Sequence, residues 1–130
     1  MTTYRTPLGR VRGLGAAKHG VGHFIGQRVS AIALVLLVLW AVGSGLRLAT
    51  YDYRDTVDWL RSGPNTVLTI LLLGVGFFHM SLGLRTVIED YIHKAPTKAV
   101  LLILNLFACW LGGAIGVIAV LKVAFGGGAF

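Results

Sequence analysis

The stretch SGPNTVLTILLLGVGFFHMSLGL, residues 62–84, contains 23 residues and no Asp, Glu, Lys or Arg. A helix needs about 20 apolar residues to cross the hydrocarbon core of a bilayer. Two further runs also lack charged residues: Val29–Leu46 has 18 residues and Ala99–Leu121 has 23. Together the three runs hold 64 of the 130 residues. They predict an all-α membrane protein with three transmembrane helices.

The composition excludes several other classes of protein. Hydrophobic residues make up 55% of the chain and charged residues 13%, whereas about a quarter of a soluble domain is charged. An ordinary soluble globule and a disordered tail are therefore excluded. The single cysteine, Cys109, has no intrachain partner, so we expect it to fill space in the third span and no disulfide to hold the fold.

The basic residues predict the orientation in the membrane. Lys and Arg are enriched in cytoplasmic segments of membrane proteins, and this distribution explains the net charge of +7 better than nucleic-acid binding does. Eight of the 12 basic residues lie on the side of the amino terminus and four on the other side, which predicts a cytoplasmic amino terminus. The eight are Arg5, Arg10, Arg12, Lys18, Arg28, Arg85, Lys94 and Lys98; the four are Arg47, Arg54, Arg61 and Lys122.

The domain organisation follows from these runs and from the breakers between them. We expect a Gly-rich cytoplasmic arm over 1–27, either docked or loose, a three-helix domain over 28–125 and a tail over 126–130. The expected spans are about 28–48, 65–91 and 98–123, with a short interfacial helix around Tyr53–Leu60. The second helix continues past its apolar part because no breaker occurs before Pro96. The third carries glycines that allow close helix packing: Gly112, Gly113 and Gly116.

His79 is the only ionisable side chain within the apolar runs apart from the thiol of Cys109. Such residues are costly in a membrane and point to function. Helical spacing places Gly76, His79, Gly83 and Asp90 on one stripe, and the glycines leave a flat slot that suits a planar macrocycle such as haem. A hydrogen bond across helices is the alternative role. We place the other histidines, His19, His23 and His93, outside the spans, so a second haem ligand must come from another subunit.

Three further residues lie at the cytoplasmic end of the spans. Asp90 and Tyr91 can bind and protonate a quinone carbonyl, or can simply form a solvated helix end. Arg28 can neutralise a carboxylate or a haem propionate, or can snorkel to the surface. We interpret Ser30 as a helix-packing hydroxyl.

The segment His79–Tyr91, HMSLGLRTVIEDY, resembles the H-x-x-x-G-(x)6-D-Y segment of the hydrophobic membrane-anchor family of succinate dehydrogenase, respiratory complex II. Residues 6–15 and Phe24–Arg28 are similar to the amino-terminal arm and first-helix entry of its alphaproteobacterial members. The resemblance implies a bundle formed with a partner anchor subunit in the bacterial cytoplasmic membrane.

The resemblance also implies the roles of the site residues. His79 is then an axial ligand of haem b, Arg28 faces a propionate, and Tyr91 with Asp90 binds ubiquinone. The implied partners are a flavoprotein subunit, an iron–sulfur subunit and a second, cytochrome b556-type anchor subunit, and electrons pass from succinate to ubiquinone. No role is implied for Glu89, and the chain is not catalytic alone.

Two other functions compete with this interpretation. A structural anchor or assembly subunit needs neither haem nor quinone contact. A small proton-coupled transporter needs an acidic residue within the membrane, and none of the three runs contains Asp or Glu.

Overall fold

The computed structural model describes residues 6–8 and 20–126 and shows an all-helical protein. Within 20–126 the helices are α1 (Gly20–Leu48), α2 (Tyr53–Arg61), α3 (Gly63–Tyr91) and α4 (Ala95–Phe125). The described residues contain no strand. The expected all-α class is confirmed, and so is a short helix near Tyr53–Leu60.

Three of these helices are long and apolar enough to cross a membrane. α3 has 29 residues and α4 has 31, so each is about 45 Å long at 1.5 Å per residue and exceeds the roughly 30 Å hydrocarbon core. Most large apolar side chains of the three long helices are exposed, such as Leu36 and Leu46 in α1 and Trp110 in α4. This distribution suits a chain whose solvent is lipid or a partner's apolar surface.

α3 is the central helix and packs against both α1 and α4. Contacts pair the start of α1 with the end of α3, as between Gly26 and Leu82, so these two helices are antiparallel. α3 and α4 are antiparallel as well: the Ser81 carbonyl oxygen accepts from the Asn105 amide at 3.0 Å, and Leu73, earlier in α3, contacts Gly116, later in α4. The predicted role of the α4 glycines is confirmed: Phe77 lies against Gly112 and Gly113, and Leu73 against Gly116.

α1 begins earlier than the sequence suggested. We expected a helix from about Phe24 with its membrane span from about residue 28, but the helix starts at Gly20, about one turn before Phe24. Glycine disfavours a helix, yet a β-carbon at Gly26 would lie 3.4 Å from Leu82 Cδ1, so the absence of a side chain there permits close packing on α3. Residues 1–5 and 9–19 of the expected arm and 127–130 of the tail lie outside the described residues.

The short connections fix the positions of the helix ends. Asp52 caps α2 by accepting from the Asp55 backbone N–H at 2.8 Å. Pro64 lies in the first turn of α3, where the missing N–H costs nothing. α3 ends at Tyr91, as predicted, and a connection of residues 92–94 leads into α4.

Candidate functional site

His79 lies in the contact between α3 and α1, where it bonds to a side chain far away in sequence. Its Nδ1 is 2.9 Å from the Ser30 Oγ, and Ser30 is buried with 5% of its surface exposed. The alternative role of His79, a hydrogen bond between helices, is therefore present in the structure. It does not exclude a ligand role, because the imidazole has a second nitrogen.

The hydrogen bonds of Ser30 fit one tautomer of His79. The Ser30 hydroxyl donates to the backbone carbonyl oxygen of Gln27 at 3.1 Å. With its one proton used in this bond, the oxygen is an acceptor for a hydrogen on His79 Nδ1. Nε2 is then the nitrogen with the free lone pair, which is the form that binds a metal.

Gln27 provides a second, independent contact that agrees with this tautomer. Its side-chain Nε2 lies 3.5 Å from His79 Nε2. An amide nitrogen only donates, so His79 Nε2 is the acceptor in this contact. At 3.5 Å this hydrogen bond is long and weak, so Nε2 is the more weakly hydrogen-bonded of the two ring nitrogens.

The two glycines on the His79 stripe have different surroundings. A β-carbon at Gly76 would meet nothing within 4 Å, whereas one at Gly83 would lie 3.7 Å from the Gln27 amide nitrogen. The space beside Gly76 is therefore open, and the space beside Gly83 is bordered by Gln27 of α1. The flat slot beside His79 stays a prediction, and among the described residues the open space lies at Gly76.

Two buried polar atoms beside this site have no hydrogen-bond partner among the described residues. They are His23 Nε2 and Gln27 Oε1. His23, Gln27 and Ser30 are spaced by four and three residues, so they form one polar stripe of α1. Unpaired buried polar atoms are rare and need an explanation such as an ion, a water or a ligand.

The sequence interpretation missed Gln27 and His23 as residues of the site. We placed His23 before the first span, but it lies in the first turns of α1. The signal is the helical spacing of His23, Gln27 and Ser30. It indicates a shared face only if α1 already includes His23, as it does when the helix begins at Gly20.

Arg28 does not share the face of α1 that contacts His79. Helical steps of 100° place it well away from the direction of Gln27 and Ser30. Its guanidinium lies over the Phe24 ring at 5.1 Å from the centroid, and the residue is exposed. It remains accessible to an anionic group of a ligand or partner.

Asp90 and Tyr91 lie at the end of α3, exposed, with 76% of the Tyr91 surface accessible. Their side chains form no hydrogen bond with another described residue, and they lie about 16 Å along the helix from His79, at 1.5 Å per residue. The structure therefore keeps them apart from the imidazole. Glu89 instead accepts from Arg85 Nε at 2.8 Å on the surface, where such a pair adds little stability.

A separate cavity of about 760 Å³ lies between α3 and α4. Its lining is mostly apolar and includes Phe77, Asn105 and Cys109, but not His79. Cys109 is buried as expected, and its thiol donates to Asn105 Oδ1 at 3.4 Å. The cavity and the imidazole are thus distinct features on different sides of α3.

The donor set is incomplete for a metal ion within this chain alone. Among the described residues no three His, Cys, Asp or Glu side chains gather to hold a metal. The residues present fit one histidine ligand of a haem, because His79 Nδ1 is bound to Ser30, Nε2 has only a long contact with Gln27, and the space beside Gly76 is open. A second axial ligand from a partner subunit would complete such a site.

The chain is similar to known membrane anchors over most of its length. The family described as succinate dehydrogenase/fumarate reductase transmembrane subunit matches residues 2–114. A succinate dehydrogenase hydrophobic membrane anchor subunit of Rickettsia bellii (strain RML369-C) is 30% identical over 100 residues, 77% of this chain and 80% of the relative. Identically named proteins are 29% identical over 107 residues in Rickettsia conorii (strain ATCC VR-613 / Malish 7), 82% of this chain and 85% of that relative, and 28% over 123 residues in Paracoccus denitrificans, 95% of each.

The extent of these matches and the three spanning helices agree. The resemblance drawn from His79–Tyr91 is confirmed, and the chain is a multi-pass membrane protein, consistent with the bacterial inner membrane. It belongs to the family of succinate dehydrogenase and fumarate reductase transmembrane subunits.

Proposed function

We propose that this anchor subunit serves a succinate:ubiquinone oxidoreductase and helps to bind haem b and ubiquinone. The observation that carries the haem role is the hydrogen bonding of His79: Nδ1 is bound to Ser30 at 2.9 Å, and the Nε2 lone pair meets only the long 3.5 Å contact from the Gln27 amide. The relatives' name, succinate dehydrogenase hydrophobic membrane anchor subunit, supports the assembly.

In this proposal His79 Nε2 would hold the haem iron together with a histidine of a second, cytochrome b556-type anchor subunit. The exposed guanidinium of Arg28 binds a propionate carboxylate, since arginine presents several donors to such a group. When bound, the haem supplies one-electron oxidation and reduction within the membrane.

Asp90 and Tyr91 form this chain's part of the ubiquinone site. The Tyr91 hydroxyl donates a hydrogen bond to a quinone carbonyl oxygen, which holds and polarises it. Asp90, next in sequence, accepts and passes on protons that the reduced quinone needs. Both side chains are exposed at the end of α3, so residues of other subunits enclose the quinone.

The excess of basic residues on one side supports a cytoplasmic position for the amino terminus and for the end of α3. In that orientation Asp90 and Tyr91 lie on the side where the flavoprotein and iron–sulfur subunits bind and deliver electrons from succinate. Lys94, in the connection between α3 and α4, and Lys98, in the first turn of α4, lie on the same side.

A reduced-minus-oxidised spectrum of the purified complex tests the haem proposal. The wild-type complex is expected to show a b-type signal that His79→Ala abolishes. The matched control is His93→Ala, which removes an exposed histidine in the connection after α3 and should leave the signal unchanged.

The competing function is a structural anchor or assembly subunit without haem or quinone contact. A wild-type complex that is fully assembled and lacks a b-type signal would support this alternative and contradict the haem role. Retention of the signal in His79→Ala would show that the ligand lies elsewhere.

A further inference from the structure

We propose that Ser30 is a positioning residue for His79, which fixes the ring and tautomer of the imidazole and strengthens it as an electron donor to the haem iron. The inference rests on the proposed ligand role of His79. It adds a function to a hydroxyl that the sequence suggested was only a packing group.

The first step is geometric. Ser30 lies on α1 and His79 on α3, so the 2.9 Å bond joins two helices across a buried contact. Because Ser30 on the neighbouring helix holds the ring at Nδ1, rotation about the Cβ–Cγ bond of His79 would break the hydrogen bond between them. The direction of Nε2 is therefore set by the packing of α1 on α3.

The second step is the direction of the proton. The Ser30 hydroxyl donates to the Gln27 carbonyl oxygen at 3.1 Å, three residues earlier in α1. Serines in helices commonly donate to such carbonyls. With its proton used, the oxygen accepts from Nδ1–H, and the contact from the Gln27 amide to Nε2 fits the same tautomer.

The third step is the effect on the ligand. Histidine ligands almost always donate their other ring N–H to an acceptor, which fixes the tautomer and raises the basicity of the ligand. A more basic imidazole stabilises the oxidised iron relative to the reduced iron. Removing the Ser30 oxygen should therefore raise the midpoint potential of the haem.

The experiment compares three variants in the purified, assembled complex. Ser30→Ala removes the acceptor, Ser30→Thr keeps a hydroxyl at the same position, and Ser44→Ala makes the same change elsewhere on α1, at a serine without a side-chain hydrogen bond to other described residues. The readouts are the haem midpoint potential from a redox titration and the haem content per complex.

We expect a positive shift of the potential and a lower haem content in Ser30→Ala. Ser30→Thr should restore both towards wild type, and Ser44→Ala should change neither. A threonine hydroxyl suits this position because it also bonds to carbonyls one turn earlier in a helix.

A wild-type potential in an assembled Ser30→Ala complex would overturn the proposal. If that variant does not assemble, Ser30→Cys provides the same test, because its sulfur is of similar size but a weak acceptor. A wild-type potential there would overturn the proposal equally.

The failure of the ligand role gives a different result. If His79→Ala kept the b-type spectrum, both the ligand role and the positioning role would fall. If His79→Ala lost the spectrum while Ser30→Ala kept the wild-type potential, only the positioning role would fall.

Discussion

Phe77 of α3 lies so close to Gly112 of α4 that a β-carbon on this glycine would come within 2.6 Å of ring atom Cε1. The same ring also covers Gly113, so it has little room to move aside. Without a strong hydrophobic driving force between helices in lipid, small residues at such contacts provide close van der Waals packing. The pair therefore fixes the distance between α3 and α4.

Gly112→Ala should destabilise this helix pair. Overpacking a tight contact costs about 1 to 3 kcal/mol, so we expect a lower thermal midpoint for loss of the assembled complex in detergent. The control is Gly43→Ala in α1, where a β-carbon would meet nothing within 4 Å. An equal midpoint for the two variants would contradict the tight contact.

The three long helices and the end of α3 could be predicted from sequence, because charge-free runs and Pro96 are local signals. The start of α1 could not. Local glycines argue against a helix there, and the packing of Gly26 on Leu82 and Phe78, which overrides them, joins residues that are far apart in sequence.

The site could be predicted only in part for a similar reason. The stripe around His79 follows from spacing within α3, but its bonds to Ser30 and Gln27 depend on how α1 is rotated about its own axis. That rotation is a result of helix packing and not of any one segment. Asp90, Tyr91 and Arg28 are exposed, and their partners belong to other chains in the proposed complex.

Arg61 connects the short helix α2 to the end of α4. Its side chain donates to the carbonyl oxygens of Gly126 at 2.9 Å and Val123 at 3.4 Å. The last carbonyl groups of a helix lack hydrogen-bond partners within the helix. A cation near them also interacts favourably with the helix dipole, which stabilises the helix by about 0.3 to 1 kcal/mol.

Arg61→Ala should therefore loosen the last turn of α4. We expect faster hydrogen exchange in peptides that cover residues 118–126, with no change in the middle of the helix. Arg54→Ala removes the other arginine of α2, which has no side-chain hydrogen bond to a described residue, and should leave this exchange unchanged. Equal exchange in both variants would show that Arg61 does not stabilise the helix end.

Tyr91→Phe tests the proposed quinone contact, because it removes the hydroxyl and keeps the ring. We expect succinate:ubiquinone reductase activity to fall by about tenfold, the effect of losing a hydrogen bond of about 1.4 kcal/mol. Succinate oxidation with an artificial acceptor should persist. Tyr53→Phe is the control, since Tyr53 is an exposed tyrosine near the opposite end of α3. Unchanged ubiquinone turnover in Tyr91→Phe would contradict the assignment.

Gly76→Val tests the open space beside Gly76, one turn from His79 on α3. A β-carbon at Gly76 meets nothing within 4 Å, so the described helices accommodate the larger side chain. It would nevertheless occupy the space one turn from His79, on the same stripe, where a planar ligand must lie. We expect a lower haem content per assembled complex, measured from the reduced-minus-oxidised spectrum. The control is Gly74→Val. A β-carbon at Gly74 also meets nothing within 4 Å, but Gly74 lies about 200° around the helix from Gly76. Normal haem content in Gly76→Val would place the haem on another side of the imidazole, and equal losses in both variants would reveal a general effect of valine on α3.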